Sequence, residues 1–141
     1  MAAPVKTALE RKIKMILLLL LLVLVPIAAR IWAKKHAPQH RSAIMWAGLG
    51  LVVSPLSLGL YATYFLGPFG IATGMAGLVL SLWHGTPGYY ICTTIGAVPT
   101  HTVVEGGSRL AVEVSNGIFW GVVYGALGYG MDRFRFKRVA L

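Results

Sequence analysis

Four apolar runs divide the chain, at 15–33, 43–66, 69–84 and 114–131, with polar and basic residues between and outside them. The first holds six consecutive leucines, Leu17–Leu22, and is apolar all round, so it reads as a buried or lipid-facing helix and not as a surface one. At 1.5 Å per residue it is about 28 Å long, against a bilayer core of about 30 Å. Arg30 is expected to snorkel from its end and Trp32 to sit at the interface. Pro26 is expected to kink it. The second run is about 36 Å long and carries Pro55 and several glycines. Leu66-Gly-Pro-Phe-Gly70 is a tight-turn signal, so the second and third runs read as a helical hairpin. The pattern predicts an all-α integral membrane protein of about four transmembrane helices, with residues 1–141 forming a single membrane domain.

Residues 85–113 break this pattern. They contain Gly85-Thr-Pro-Gly88, the pair Tyr89-Tyr90 and many β-branched residues. Thr100–Glu105 and Ser108–Glu113 flank Gly106-Gly107, which is the spacing of a β-hairpin with a two-residue turn. A loop leading into an early start of the last helix, with Ser108 as N-cap, fits the same residues. Residues 1–14 form a basic cytoplasmic leader and 132–141 a basic cytoplasmic tail in this reading, with 85–113 extracytoplasmic.

Small residues are periodic within two of the runs. Gly117, Gly121, Gly125 and Gly128 fall at roughly 0°, 40°, 80° and 20° around a helix, and Gly70, Gly74, Gly77 and Ser81 at about 0°, 40°, −20° and 20°. Such stripes let helices approach backbone to backbone, where dispersion and weak hydrogen bonds replace the hydrophobic effect. Two matching stripes, in the manner of a glycine zipper, predict that the third and fourth spans pack on each other. Replacing Gly74 or Gly121 with leucine is then expected to destabilise the fold. Stripes not used within the chain are available to an oligomer or a partner.

Composition agrees with a polytopic membrane protein: 57% of residues are hydrophobic and 12% charged, where soluble domains average about 45–50% and about 25%. The net charge of +9 does not imply nucleic acid, because the basic residues cluster beside the apolar runs and no binding motif accompanies them. The clusters are Lys6, Arg11, Lys12 and Lys14; Arg30, Lys34, Lys35 and Arg41; and Arg133, Arg135, Lys137 and Arg138, with Arg109 alone. Four spans put the first and third clusters on one side, so the positive-inside rule favours N-in and C-in. The second cluster then faces outward, against the rule. Neither an interfacial first helix nor a fifth span at Gly88–Val104 removes that conflict without a worse one. No clean small-x-small cleavage site precedes the second cluster, so the first helix reads as a retained signal anchor. The leucine-rich first helix and the final Asp132-Arg-x-Arg-x-Lys-Arg138 resemble those of many small bacterial inner-membrane proteins. That resemblance implies a bacterial inner (plasma) membrane.

Candidate chemistry is sparse. Cys92 is the single cysteine, which excludes an intrachain disulfide and argues against a zinc or iron–sulfur site. His84 ends the third run and His101 lies in the polar region 85–113, so neither is centred in an apolar run, which disfavours bis-histidine haem. Pro38 separates His36 from His40 and disfavours a helical metal pair. Glu10, Glu105, Glu113 and Asp132 all fall outside the runs as read, so no intramembrane proton relay is expected. Glu105 is expected to pair with Arg109, and Asp132 with Arg133. Asn116 is expected to make an interhelical hydrogen bond, and the indole of Trp120 needs an acceptor. No nucleophile elbow, phosphate loop or His-Glu-x-x-His occurs. The expected protein is therefore not an enzyme and has no cofactor, metal or catalytic residue. Its expected partners are membrane lipids, including anionic headgroups, and other membrane subunits or itself, with no nucleic acid. It reads as an accessory, structural or assembly subunit of a larger membrane complex, acting through glycine-lined helix packing. A homo-oligomeric channel or transporter is the alternative. Recognition of an extracytoplasmic ligand by Tyr89, Tyr90, His101, Glu105 and Arg109 is a third.

Overall fold

The computed structural model describes residues 4–66, 68–100 and 106–139, with side chains at 16–17, 19–64, 70–100 and 107–136. Five α-helices account for nearly all of it: α1 (Pro4–His36), α2 (Arg41–Ala62), α3 (Pro68–His84), α4 (Thr86–Thr94) and α5 (Gly106–Val139). Short 3-10 turns, Pro38–His40 and Thr63–Leu66, follow α1 and α2. There is no strand among the described residues. Two segments are long and apolar enough to cross a membrane, Pro38–Ala62 around α2 and Gly107–Phe136 within α5. The helices α1 and α2 continue through Pro26 and Pro55.

The centre of the fold is α2. Ala43, Ala47, Gly50, Ser54 and Ser57 recur every three or four residues along it and make a small-residue stripe. The glycines of α5 face that stripe. A side chain at Gly128 would lie 2.6 Å from the Ser42 carbonyl, one at Gly125 3.2 Å from Ala47 Cβ, and one at Gly117 2.8 Å from the Leu51 carbonyl. Gly50 in turn abuts the backbone of Trp120 and Gly121, with no room for a Cβ. The pairing runs from Ser42–Gly128 to Ser54–Glu113, so the two helices are antiparallel. Proline contributes as well: Pro55 has no N–H for the Leu51 carbonyl four residues earlier. That carbonyl points at Gly117, where a close Cα–H can meet it.

Two other faces of α2 take α1 and α3. Gly48 meets Pro26 and Ala29, and Gly59 meets Leu19, which makes α1 antiparallel to α2. Gly74 meets Tyr64, and Gly77 meets Leu60, Tyr61 and the Ser57 carbonyl, so α3 runs back along the distal half of α2. A hydroxyl–hydroxyl bond joins Thr63 and Thr73 at the same joint. The glycine stripes of α3 and α5 therefore do not pack on each other, as their sequence match suggests. Each packs on α2, whose own small residues complement both.

The third apolar run also ends differently from expectation. At its C-terminus His84 reaches Trp120, whose backbone lies on Gly50. At 1.5 Å per residue Gly50 is about 14 Å from the start of α2 and about 18 Å from its end. The chain bends there at Gly85, and α4 returns along α5 in the opposite sense, from Asn116 at Gly88 to Ser115 and Val112 at Cys92. The helices α3 and α4 thus form a hairpin whose tip stops at half the height of α2. The start of α1 and the end of α5 lie at opposite ends of the bundle, whereas four full spans would put them at the same end.

The expected β-hairpin does not form, because Ser108–Glu113 lies within α5. Ser108 is two residues inside that helix and not its cap. Helix puts Glu113, Asn116 and Gly117 on faces that meet α2 and α4, and these contacts outweigh the local β signal of the Gly-Gly pair.

Candidate functional site

A helix break at half height leaves backbone groups without helical partners: the last carbonyls of α3 and the first N–H groups of α4. Where they are buried, such groups need acceptors and donors from elsewhere. Part of the supply is local. The Gly85 N–H donates to the Ser81 carbonyl at 2.8 Å, and the Thr86 hydroxyl to the Leu82 carbonyl at 2.8 Å. Pro87 has no N–H to satisfy.

The rest comes from three residues spaced four apart on α5. Asn116, fully buried, accepts from the Gly88 N–H and donates through Nδ2 to the Gly85 carbonyl at 3.0 Å. One turn on, the Trp120 indole N–H donates to the His84 carbonyl at 3.0 Å. A further turn on, Tyr124 meets His84 Nε2 at 2.6 Å. His84 Nδ1 lies 2.9 Å from the Leu80 carbonyl, which only accepts, so Nδ1 carries the ring proton. In the neutral ring Nε2 is then the acceptor and the tyrosine hydroxyl donates to it. The rings of His84, Trp120 and Tyr124 pack together, with His84–Trp120 centroids 4.6 Å apart. Gly88 has no room for a Cβ against Val112 and Asn116.

Two carboxylates complete the interior. Ser54 donates to Glu113 at 2.7 Å, and Ser57 donates to the Ser54 carbonyl at 2.7 Å. Glu113 is therefore inside the apolar segment Gly107–Phe136 and bonded across to α2, where the sequence reading left it outside. Asp132 is also inside that segment and buried. Its carboxylate accepts from the Ser42 N–H at 3.2 Å and the Ala43 N–H at 2.9 Å, in place of the expected pairing with Arg133. His40, the N-cap residue of α2, makes no side-chain cap, and Asp132 does that work from a distant helix.

The residues singled out from sequence divide into three groups. Gly70, Gly74, Gly77 and Ser81 lie on α3, and Gly117, Gly121, Gly125 and Gly128 on α5; Gly74 faces the 3-10 turn after α2, and Gly77 and the four α5 glycines face α2. Tyr89 packs on a small cluster of Cys92, Val98 and Val112, Tyr90 is exposed beside it, and Arg109 is exposed on α5. His101 and Glu105 lie outside the described residues, as does the expected Glu105–Arg109 pair. The joint at His84, Asn116, Trp120 and Tyr124 was legible only in part. The four-residue spacing Asn116-Trp120-Tyr124 was available as a signal, but its target, the break after His84, was read as a span end. Among the described residues no cluster of His, Cys, Asp or Glu could hold a metal ion. No protein-family model matches this chain, and no curated protein or solved structure shows significant similarity to it.

Proposed function

We propose that the chain is a small integral protein of a bacterial inner (plasma) membrane that acts, without catalysis, as an accessory or assembly subunit of a larger membrane complex. In this reading α1, α2 and α5 cross the bilayer and the α3–α4 hairpin re-enters from one side. Irregular backbone at membrane depth is tolerated where protein covers it, and the α5 ladder supplies that cover. Eight basic residues, Arg30, Lys34, Lys35, Arg41, Arg133, Arg135, Lys137 and Arg138, gather at one end of the bundle, and five, Lys6, Arg11, Lys12, Lys14 and Arg109, at the other. The second and third clusters then share a side, and the first cluster faces outward in place of the second, so the balance stays eight against five. The positive-inside rule then favours C-in and N-out.

The observation that carries the subunit reading is Trp83. It is 73% exposed beside the hairpin tip, and among the described residues its indole N–H has no acceptor. A lipid-facing donor at half depth is costly, and a partner helix offering a carbonyl or side-chain oxygen removes that cost. Glycine stripes no longer serve this role, because α2 occupies them. The test is copurification in mild detergent with mass spectrometry. A foreign membrane protein that elutes with the wild type and is lost in Trp83→Ala, with α-helical content unchanged, supports the reading. A homogeneous single-chain particle for both counts against it.

One observation favours transport as a second reading: helices broken at half depth recur where transporters bind substrate. Here, however, the polar groups at the break bond to one another. Ion flux in liposomes that Gly121→Leu abolishes supports this alternative, and no flux at any protein density removes it.

A further inference from the structure

At the end of the bundle that gathers the second and third basic clusters, α1, α2 and α5 enclose a cleft of about 130 Å³ lined by Arg30, Arg41, Ser42, Met45, Trp46, Met131 and Arg135. Three arginines from three helices line one small space. Among the described residues none of them pairs with a carboxylate; Arg135 donates to the Ser42 hydroxyl at 3.3 Å. The one nearby carboxylate, Asp132, already accepts from two backbone N–H groups at the start of α2. The site thus combines excess positive charge with room for one small anion.

We propose that this cleft binds a phosphate group at the membrane surface, with Arg30, Arg41 and Arg135 as its charged donors. Guanidiniums suit phosphate because their planar forks give paired, charge-assisted hydrogen bonds. The phosphate belongs either to the headgroup of an anionic phospholipid or to free phosphate. Only the headgroup source rests on the membrane placement above, and neither depends on the partner contact at Trp83.

The test is native mass spectrometry of the full chain in mild detergent, titrated separately with phosphatidylglycerol, phosphatidylcholine and inorganic phosphate. The double variant Arg30→Gln/Arg41→Gln is compared with Lys34→Gln/Lys35→Gln, which removes the same charge from exposed positions at the same end. Retention of phosphatidylglycerol over phosphatidylcholine, weakened about tenfold or more in the arginine variant and little in the lysine control, confirms a headgroup site. The same pattern with inorganic phosphate alone assigns the free anion. Equal weakening in both variants, or none in either, overturns the proposal. Arg135 is left intact so that its bond to Ser42 keeps the helix ends joined.

Discussion

At the scale of single residues, the fold depends on where polar atoms and missing side chains fall. Asn116 joins α5 to both arms of the hairpin, through the Gly85 carbonyl and the Gly88 N–H. Asn116→Leu fills similar space but leaves both groups unpaired in a buried place. A loss of about 1–3 kcal/mol is expected, read from thermal unfolding in detergent. Gly50 is the second sensitive point, because a Cβ there meets the Trp120 backbone and cannot be relieved by turning a side chain. Gly50→Ala is expected to cost about 1–3 kcal/mol, while Gly130→Ala, with open space around it, is expected to be neutral or slightly stabilising. Equal stability of the two variants would contradict the packing described for α2 and α5. The stripe on α5 is visible in the sequence because a single residue type repeats along it at helical spacing. Its complement on α2 mixes Ala43, Ala47, Gly50, Ser54 and Ser57, and a pattern of unlike small residues is harder to read.

At the scale of elements, helix ends are set by contacts distant in sequence. The start of α2 has no cap of its own, and Asp132, ninety residues away from Ser42, supplies both acceptors. Asp132→Ala is expected to destabilise the fold by about 1–2 kcal/mol, with Asp132→Asn milder because one acceptor remains. Chemical unfolding followed by circular dichroism checks the order. No local pattern reveals such a cap, and Arg133 next door offered a simpler partner. The end of α4 is local and legible by contrast. Gly96, at φ 74°, closes a Schellman motif in which the Ala97 N–H donates to the Cys92 carbonyl at 2.8 Å and the Gly96 N–H to that of Thr93 at 3.1 Å. The apolar runs did predict the existence of α1, α2, α3 and α5. The helix α4 was hidden because Thr-Pro-Gly reads as a loop, yet Pro in the first turn of a helix is favourable.

At the scale of the whole molecule, the bundle is small and leaves much apolar surface outward. Leu17, Leu20, Leu21 and Leu24 on α1 and Ile118, Val122 and Leu127 on α5 are exposed, in keeping with the proposed placement of these helices in lipid. Hydropathy counts apolar runs without seeing how far each travels, so α3 resembled a full span. Its turning point is fixed by Gly85 and by the α5 ladder, which are tertiary facts. The consequence is topological. Three crossings with a re-entrant hairpin put the termini on opposite faces, and four crossings put them on the same face.

That difference is the most direct test. Epitope tags at each terminus of the full chain, probed by protease in spheroplasts and again after lysis, report the two faces independently. The account predicts that the N-terminal tag is cleaved in spheroplasts and the C-terminal tag only after lysis. Two tags that become accessible together would contradict it and return α3 to a full crossing.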